Sequence, residues 1–207
     1  MRAIAVVDYG VGNIGSLATM LESLGYVCRV TSDAMEVRDT PLLLLPGVGS
    51  AATAMRELGE RGLEQSLRDR HAAGMTMIGI CLGAQLMFSD LVEAQGPGLA
   101  LMQGTVSPIV GTTRFNTGWC QIDWQPLHDA GLVGGLRKSD TFYFNHQYAL
   151  PSLPPDHVGI TSHVVHNPAV PALHLTGRLC GIQFHPEKSQ ASGRRLMKNI
   201  LDYLGSM

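Results

Sequence analysis

Residues 75–88 read MTMIGICLGAQLMF, and the fold turns on them. Thr76–Ile80 is a short apolar run rich in β-branched residues, the composition of a buried strand. Gly79-Ile80-Cys81-Leu82-Gly83 follows, and residues 84–88 read as the start of an apolar helix. Strand, glycine-x-nucleophile-x-glycine, helix is an elbow. The tight turn lifts the middle side chain beyond the end of the sheet, and the glycines leave room where the two backbones approach. Cys81 holds the nucleophile position. A thiol at a helix N-terminus feels the positive end of the dipole, which favours its thiolate. The plainer alternative is a buried structural cysteine, since free cysteine is among the most buried residue types.

A second stretch, GIQFHPEKS at 181–189, supplies partners for that thiol. Residues 180–184 read as a strand, and Pro186 keeps His185 out of the α region, so 185–187 is expected to be extended. Residues two apart on an extended segment share a face, which lets Glu187 orient the His185 ring. Cys81, His185 and Glu187 then form a nucleophile, a base and its orienter. Singly, His185 reads as a satisfied polar residue and Glu187 as a solvated charge.

The rest of the chain is consistent with one domain spanning 1–207. Its 207 residues can bury a large core, and 45% hydrophobic with 15% charged residues is a globular composition. A net charge of −2 provides no basic stripe for nucleic acid. The four cysteines, Cys28, Cys81, Cys120 and Cys180, form no CxxC pair or metal-like cluster, which favours free thiols in a reducing cytosol. No metal or cofactor is expected. No apolar run reaches membrane-spanning length, and Met1-Arg2 leads directly into a strand without a signal peptide.

In chain order, strands are expected at Ala3–Val7, Val27–Thr31 and Leu42–Leu45, with helices at 14–24, around 53–58 and at 63–73. This alternation implies an α/β fold: a mostly parallel central sheet with helices on both faces. Sites in such sheets lie beyond the carboxyl ends of the strands, where Asp8–Asn13, Pro46–Gly49 and Cys81 all fall. From Gly96 the chain becomes β-rich, with strands read at 103–110, 113–122, 141–150, 158–165, 172–175 and 180–184, and a closing helix at 190–204. One motif competes with the thiol. Gly10-Val11-Gly12-Asn13-Ile14-Gly15 matches the dinucleotide fingerprint G-x-G-x-x-G, after a strand and before a helix, with Asp33 beyond the next strand.

The elbow and the His-x-Glu strand end resemble the class I (triad) glutamine amidotransferases. Asp8-Tyr9-Gly10-Val11-Gly12-Asn13, Leu45-Pro46-Gly47-Val48-Gly49, Gly118-Trp119 and Phe184-His185-Pro186-Glu187-Lys188-Ser189 narrow the resemblance. Within that class they resemble the glutaminase subunits of imidazole glycerol phosphate synthases, over nearly the whole chain and in the family's order.

The resemblance implies that glutamine is the substrate, that Cys81 attacks its side-chain amide, and that His185 protonates the leaving ammonia. It implies oxyanion donors at Leu82 and in Gly47-Val48-Gly49. It places the glutamine amino-acid group against Gln85 and His146-Gln147-Tyr148. It also implies a (β/α)8-barrel cyclase partner in a heterodimer, contacted through Asn13, Trp119, Tyr143 and Lys188 and receiving the ammonia. In the family the Gly10–Gly15 loop binds no nucleotide.

The chain departs from the family at three places. Phe115-Asn116-Thr117-Gly118-Trp119-Cys120 stands for Pro-His-Met-Gly-Trp-Asn, Phe144-Asn145-His146-Gln147-Tyr148 for Phe-Val-His-Ser-Tyr, and Asp123-Trp124 adds a second tryptophan. These changes are expected at the partner face and the glutamine site. They leave open a paralogous subunit feeding ammonia to another acceptor, such as a sugar in surface-polysaccharide synthesis. A silent binding subunit or a cysteine peptidase fits the set of motifs less well.

Overall fold

The computed structural model describes residues 3–110, 114–129, 131–152 and 159–207. Its first half runs β1 (Ala3–Val7), α1 (Ile14–Ser23), β2 (Val27–Thr31), α2 (Ala34–Asp39), β3 (Leu42–Leu45), α3 (Ala51–Glu60), α4 (Leu63–Ala72), β4 (Thr76–Ile80) and α5 (Leu82–Leu86). Then come β5 (Phe88–Leu91), β6 (Gly96–Pro97), β7 (Met102–Pro108), β8 (Asn116–Gln121) and α6 (Gln125–Asp129). The last part holds β9 (Thr141–His146), β10 (Tyr148–Ala149), β11 (Ile160–Val164), β12 (Asn167–Thr176) and β13 (Leu179–Ile182). A 3₁₀ turn, Pro186–Lys188, leads into α7 (Gln190–Gly205).

Seven strands form the main sheet in the order β11-β12-β13-β4-β3-β1-β2. From β13 to β2 all neighbours are parallel, while β12 and β11 add antiparallel pairs at one edge. Successive strand residues point to opposite faces. Ile4, Val6, Leu44 and Ile78 pack on one side with Leu17 and Leu21 of α1 and Leu196 and Ile200 of α7. Ala5, Val7, Leu43 and Met77 pack on the other with Leu58 of α3 and Leu63 and Leu67 of α4. Both faces are covered, which is why these strands are continuous apolar runs and do not alternate. The β8–β9 pair sits over the first face. There Phe142 and Phe144 lie 4.7 and 5.6 Å from Phe184, ring centre to ring centre, and fix the hairpin beside the end of β13.

The mostly parallel sheet with helices on both faces matches the sequence reading, and so does the β-rich second half. Several elements differ. The helix expected from residue 84 is the five-residue α5, and Phe88 instead opens β5, which pairs with β7. α2 was not anticipated; the Asp33 side chain caps it by accepting from Glu36 N–H at 2.8 Å. Residues 185–187 are not extended throughout, because Pro186–Lys188 curls into the 3₁₀ turn. The 141–150 run breaks at Gln147 into β9 and β10. β12 reaches back to Asn167, beyond the expected 172–175, and its pairing with β11 slips on either side of His163, which faces Pro171. Proline has no N–H for the ladder, a common cause of such bulges. Thr113 and Val158, the expected starts of two strands, and the Met1-Arg2 lead-in lie outside the described residues. Trp124 is not a partner-face residue, since its ring packs inward at 5.3 Å from Phe142.

Candidate active site

The elbow is built as its glycines require. Cys81 follows β4 with φ 53° and ψ −111°, a left-handed conformation that costs a non-glycine residue about 1–3 kcal/mol. Hydrogen bonds on both sides hold it there. Cys81 N–H donates to Ile182 O at 2.7 Å, and Cys81 O accepts from Ala84 N–H at 3.1 Å and Gln85 N–H at 3.2 Å. A methyl on Gly83 would lie 1.8 Å from Leu45 O, and one on Gly79 would lie 2.7 Å from Ala84 Cα. Both glycines are therefore close-approach positions. The helix beyond Cys81 is a single short stretch, so its free N–H groups contribute more than a long macrodipole would.

β13 lies beside β4 in register, Ile182 opposite Ile80, and that adjacency brings the downstream motif to the thiol. His185 is extended, at φ −100° and ψ 95°. Its N–H donates to Tyr143 O at 2.8 Å. Ser189 Oγ donates to His185 O at 2.6 Å and accepts from Tyr143 N–H at 2.9 Å, so the segment is tied to β9 on two sides. The 3₁₀ turn then carries Glu187 back under the ring. His185 Nδ1–H donates to Glu187 Oε1 at 2.9 Å, with both side chains 3% exposed.

Burial by itself would lower the His185 pKa. Hydrogen bonds to Cys81 and Glu187, together with the negative charge on each, outweigh it and push the value up to about 9. The ring thus favours the protonated form.

A cavity of about 550 Å³ opens in front of Cys81 and His185. Val48 and Gly49 line it from the loop after β3, with Leu82 and Gln85 from α5. His146, Gln147 and Tyr148 close it from the β9–β10 break. Gly47 lies beneath this wall, where a methyl would meet Tyr9 Oη at 2.6 Å and Gly83 N at 2.8 Å. Of the four expected partner-face residues, Asn13 and Lys188 reach the rim of the cavity. Trp119 and Tyr143 stand outside it, edge to face at 5.8 Å, with Trp119 47% exposed and Lys188 Nζ 5.8 Å from the Tyr143 ring centre.

The cavity and the layer behind it also hold residues that the sequence reading missed. Glu93, just beyond β5, lines it and accepts from Ala51 N–H at 2.9 Å. Gln183 is fully buried behind the nucleophile, with Nε2 4.0 Å from Cys81 Sγ and Oε1 3.2 Å from Gln85 Nε2. A lone glutamate after an unrecognised strand carries no sequence signal. An amide inside the apolar 180–184 run does, since such a residue must find buried partners. Phe115, Thr117 and Asn145, all from departing segments, also reach the lining.

The Gly10–Gly15 loop is occupied differently from a nucleotide cradle. Methyls on Gly10 and Gly12 would meet Arg61 Nη2 at 3.0 Å and Pro46 Cγ at 3.4 Å, whereas Gly15 has nothing within 4 Å. The third fingerprint glycine serves close helix–strand packing, which is absent at Gly15. Asp33 is committed to capping α2. Among the described residues no cluster of three or more metal-ligating side chains occurs.

A thiol and an imidazole together on the lining of one cavity suit acyl transfer from a small amide. The family model for class-I glutamine amidotransferases matches residues 5–202. The chain is 38% identical over 202 residues to an imidazole glycerol phosphate synthase subunit HisH from Symbiobacterium thermophilum, covering 96% of this chain and 93% of that one. It is 37% identical to the same subunit from Moorella thermoacetica, over 97% and 94% of the two chains. Among solved structures, a glutamine amidotransferase superposes with TM-score 0.73 at 20% identity, covering 97% of this chain and 98% of the other. PurLQS from Thermotoga maritima superposes with TM-score 0.69 at 19% identity, over 99% and 100%. These two likenesses concern the fold.

Proposed function

Because the chain belongs to the class-I glutamine amidotransferases, we propose that it is the glutaminase subunit of an imidazole glycerol phosphate synthase. In this reading residues 1–207 act as one glutamine amidotransferase domain. The observation that carries it is Cys81 and His185 facing one cavity, with Glu187 hydrogen-bonded to His185 behind them, in a chain matched almost end to end by such subunits.

Cys81 thiolate attacks the glutamine side-chain carbonyl, forming a C–S bond and an oxyanion. Leu82 N–H and an amide of Gly47-Val48-Gly49 are the donors proposed for that oxyanion. Collapse breaks the C–N bond as His185 passes its proton to the nitrogen, and ammonia leaves. Neutral His185 then takes a proton from water as the water oxygen bonds the thioester carbon. The C–S bond breaks, giving glutamate and restoring the thiolate–imidazolium pair. Glu187 keeps Nδ1 protonated so that Nε2 faces the chemistry throughout.

Gln85, His146, Gln147 and Tyr148 wall the amino-acid end of glutamine. Glu93 is the carboxylate among the lining residues, and it suits the α-ammonium group. The ammonia passes to a (β/α)8-barrel cyclase in a heterodimer, docked over Asn13, Trp119, Tyr143 and Lys188, which makes imidazole glycerol phosphate and aminoimidazole carboxamide ribotide. No helix among the described residues is long and apolar enough to cross a membrane. Cys28, Cys81, Cys120 and Cys180 are all unpaired, as suits work in the reducing cytoplasm.

Glutamate release, with and without the cyclase and its acceptor, tests the reading. Gly49 has φ +89° with open space around it, so the Val48–Gly49 peptide can swing while Gly47 is held by its neighbours. One missing oxyanion donor costs about 10²–10³-fold in rate. The isolated chain is therefore expected to turn over slowly, and the loaded partner to raise kcat by about that factor with little change in KM. Absence of glutamate under both conditions would reject the reading.

A further inference from the structure

Asn116 and Cys120 lie in the segment where the chain departs from the family motif, yet both are buried. Their hydrogen bonds run in one direction. Tyr148 O lies 2.8 Å from His146 Nδ1, and a carbonyl can only accept, so Nδ1 carries the proton. In a neutral ring Nε2 is then the acceptor, and the group 3.2 Å away must be the Asn116 amide N–H₂. That turns Asn116 Oδ1 toward Cys120, whose thiol donates to it at 3.4 Å, the shortest of three contacts of that sulfur. Tyr148 O also accepts from Gln85 Nε2 at 2.7 Å, and Gln85 reaches Gln183 behind Cys81. A buried polar chain thus joins the hairpin that carries exposed Trp119 to the surroundings of the nucleophile.

We propose that Asn116, oriented by Cys120, is a positioning residue that locks His146 as the neutral Nδ1–H tautomer and thereby sets the Tyr148–Gln85 wall of the glutamine cavity. The inference rests on the glutaminase reading for its kinetic consequences, though not for the tautomer itself. Burial, opposed by the bond to Tyr148 O and reinforced by nearby His185, pushes the His146 pKa down to about 4, in keeping with a neutral ring. The titratable group acting on the ring is His185, after β13; Cys120, on β8, lies one step further out, bonded to Asn116 and 4.0 Å from His166 Nε2. Cys81, Glu93, Tyr148 and Lys188 line the same cavity. The Phe144 ring, 5.8 Å from the imidazole, is apolar.

The test combines ¹⁵N NMR of the histidine rings in the full chain with glutamine kinetics of the partner complex. In the wild type, His146 is expected to show a protonated Nδ1, a bare Nε2 and no titration between pH 5 and 8, within the usual range for histidine switching. Asn116→Asp places a carboxylate at Nε2, so the ring should take a second proton and the glutamine KM should acquire a pH dependence in that window. Asn116→Leu removes the donor and should raise KM about fivefold, the worth of one ordinary hydrogen bond, with kcat changed less. Cys120→Ser keeps a donor and should retain wild-type KM, whereas Cys120→Ala should not. An Nε2–H tautomer, or a wild-type ring titrating near pH 6.5, would overturn the proposal without any variant having to fold. So would an unchanged KM in folded Asn116→Leu. Failure of the glutaminase reading would look different: no glutamate from any form, with the tautomer still as described.

Discussion

Glu187 uses one oxygen for His185 Nδ1–H, and its second oxygen is buried without a hydrogen-bond partner among the described residues. Its contribution is therefore charge and orientation directed at one ring. The His185 pKa, raised to about 9, also gives a sign to the pH behaviour. The folded value lies above the ordinary 6.5, so this contact's contribution to stability is complete below 6.5 and is lost as pH rises through about 9. The proton that leaves with ammonia is lost over the same upper range, so kcat/KM should fall on an alkaline limb. Glu187→Gln keeps an acceptor and removes the charge. The limb should move below 9, with a rate loss smaller than the roughly 10²–10⁴-fold typical of losing the acid–base group itself. A pH–rate profile of the variant checks this, and an unmoved limb would contradict the assigned role. At this scale Cys81, His185 and Glu187 were legible as the proposed triad because a nucleophile, a base and its orienter leave spacing signals. Glu93 and Gln183 were not legible, because only the placement of β5 and β13 brings one to the cavity and the other behind Cys81.

At the scale of elements, two glycines in similar-looking motifs do opposite work. Gly83 is where α5 presses on β3, and a methyl there would lie 1.8 Å from Leu45 O. Gly83→Ala should cost at least about 1–3 kcal/mol as overpacking, and should distort the elbow. Gly15 lies exposed within α1 with nothing within 4 Å, so Gly15→Ala should stabilise the chain by about 0.5–1 kcal/mol. Thermal unfolding distinguishes the two, at about 2–4 °C per kcal/mol for a chain of this size. NAD at a hundredfold excess over its Kd would add about 2.7 kcal/mol if the Gly10–Gly15 loop held it. No such shift is expected, and a clear one would reinstate the dinucleotide reading.

β1 to β4 were legible because burial on both faces leaves uninterrupted apolar runs. α2 and β5 were not. α2 is six residues long, and its Asp33 cap also suits the fingerprint's acidic position; β5 follows α5 with only Met87 between them. The 3₁₀ turn was hidden because Pro186 forbids helix to His185 but is itself well suited to begin one.

Across the whole molecule, the parallel sheet sets β4 beside β13, and so joins residues a hundred positions apart into one site. The β-rich second half supplies the far wall of the cavity and, through Trp119 and Tyr143, an aromatic rim beside Lys188. Apart from Trp124, which packs inward, the departing residues fall on or just behind that wall and rim, while the triad is untouched. Their buried members, Asn116 and Cys120, could not be read from the sequence, because Asn116 meets His146 only once β8 pairs with β9, and Tyr148 comes from β10.

The central claim is that this chain makes ammonia and another chain uses it. Its most direct measurement is product formation by the complex of Cys81→Ala with the cyclase, supplied first with glutamine and then with ammonium. The account predicts no glutamine-dependent product and no glutamate, together with ammonium-dependent synthesis equal to that of the wild-type complex. Glutamate still released by the variant, or ammonium-dependent synthesis lost while the complex remains assembled, would contradict it.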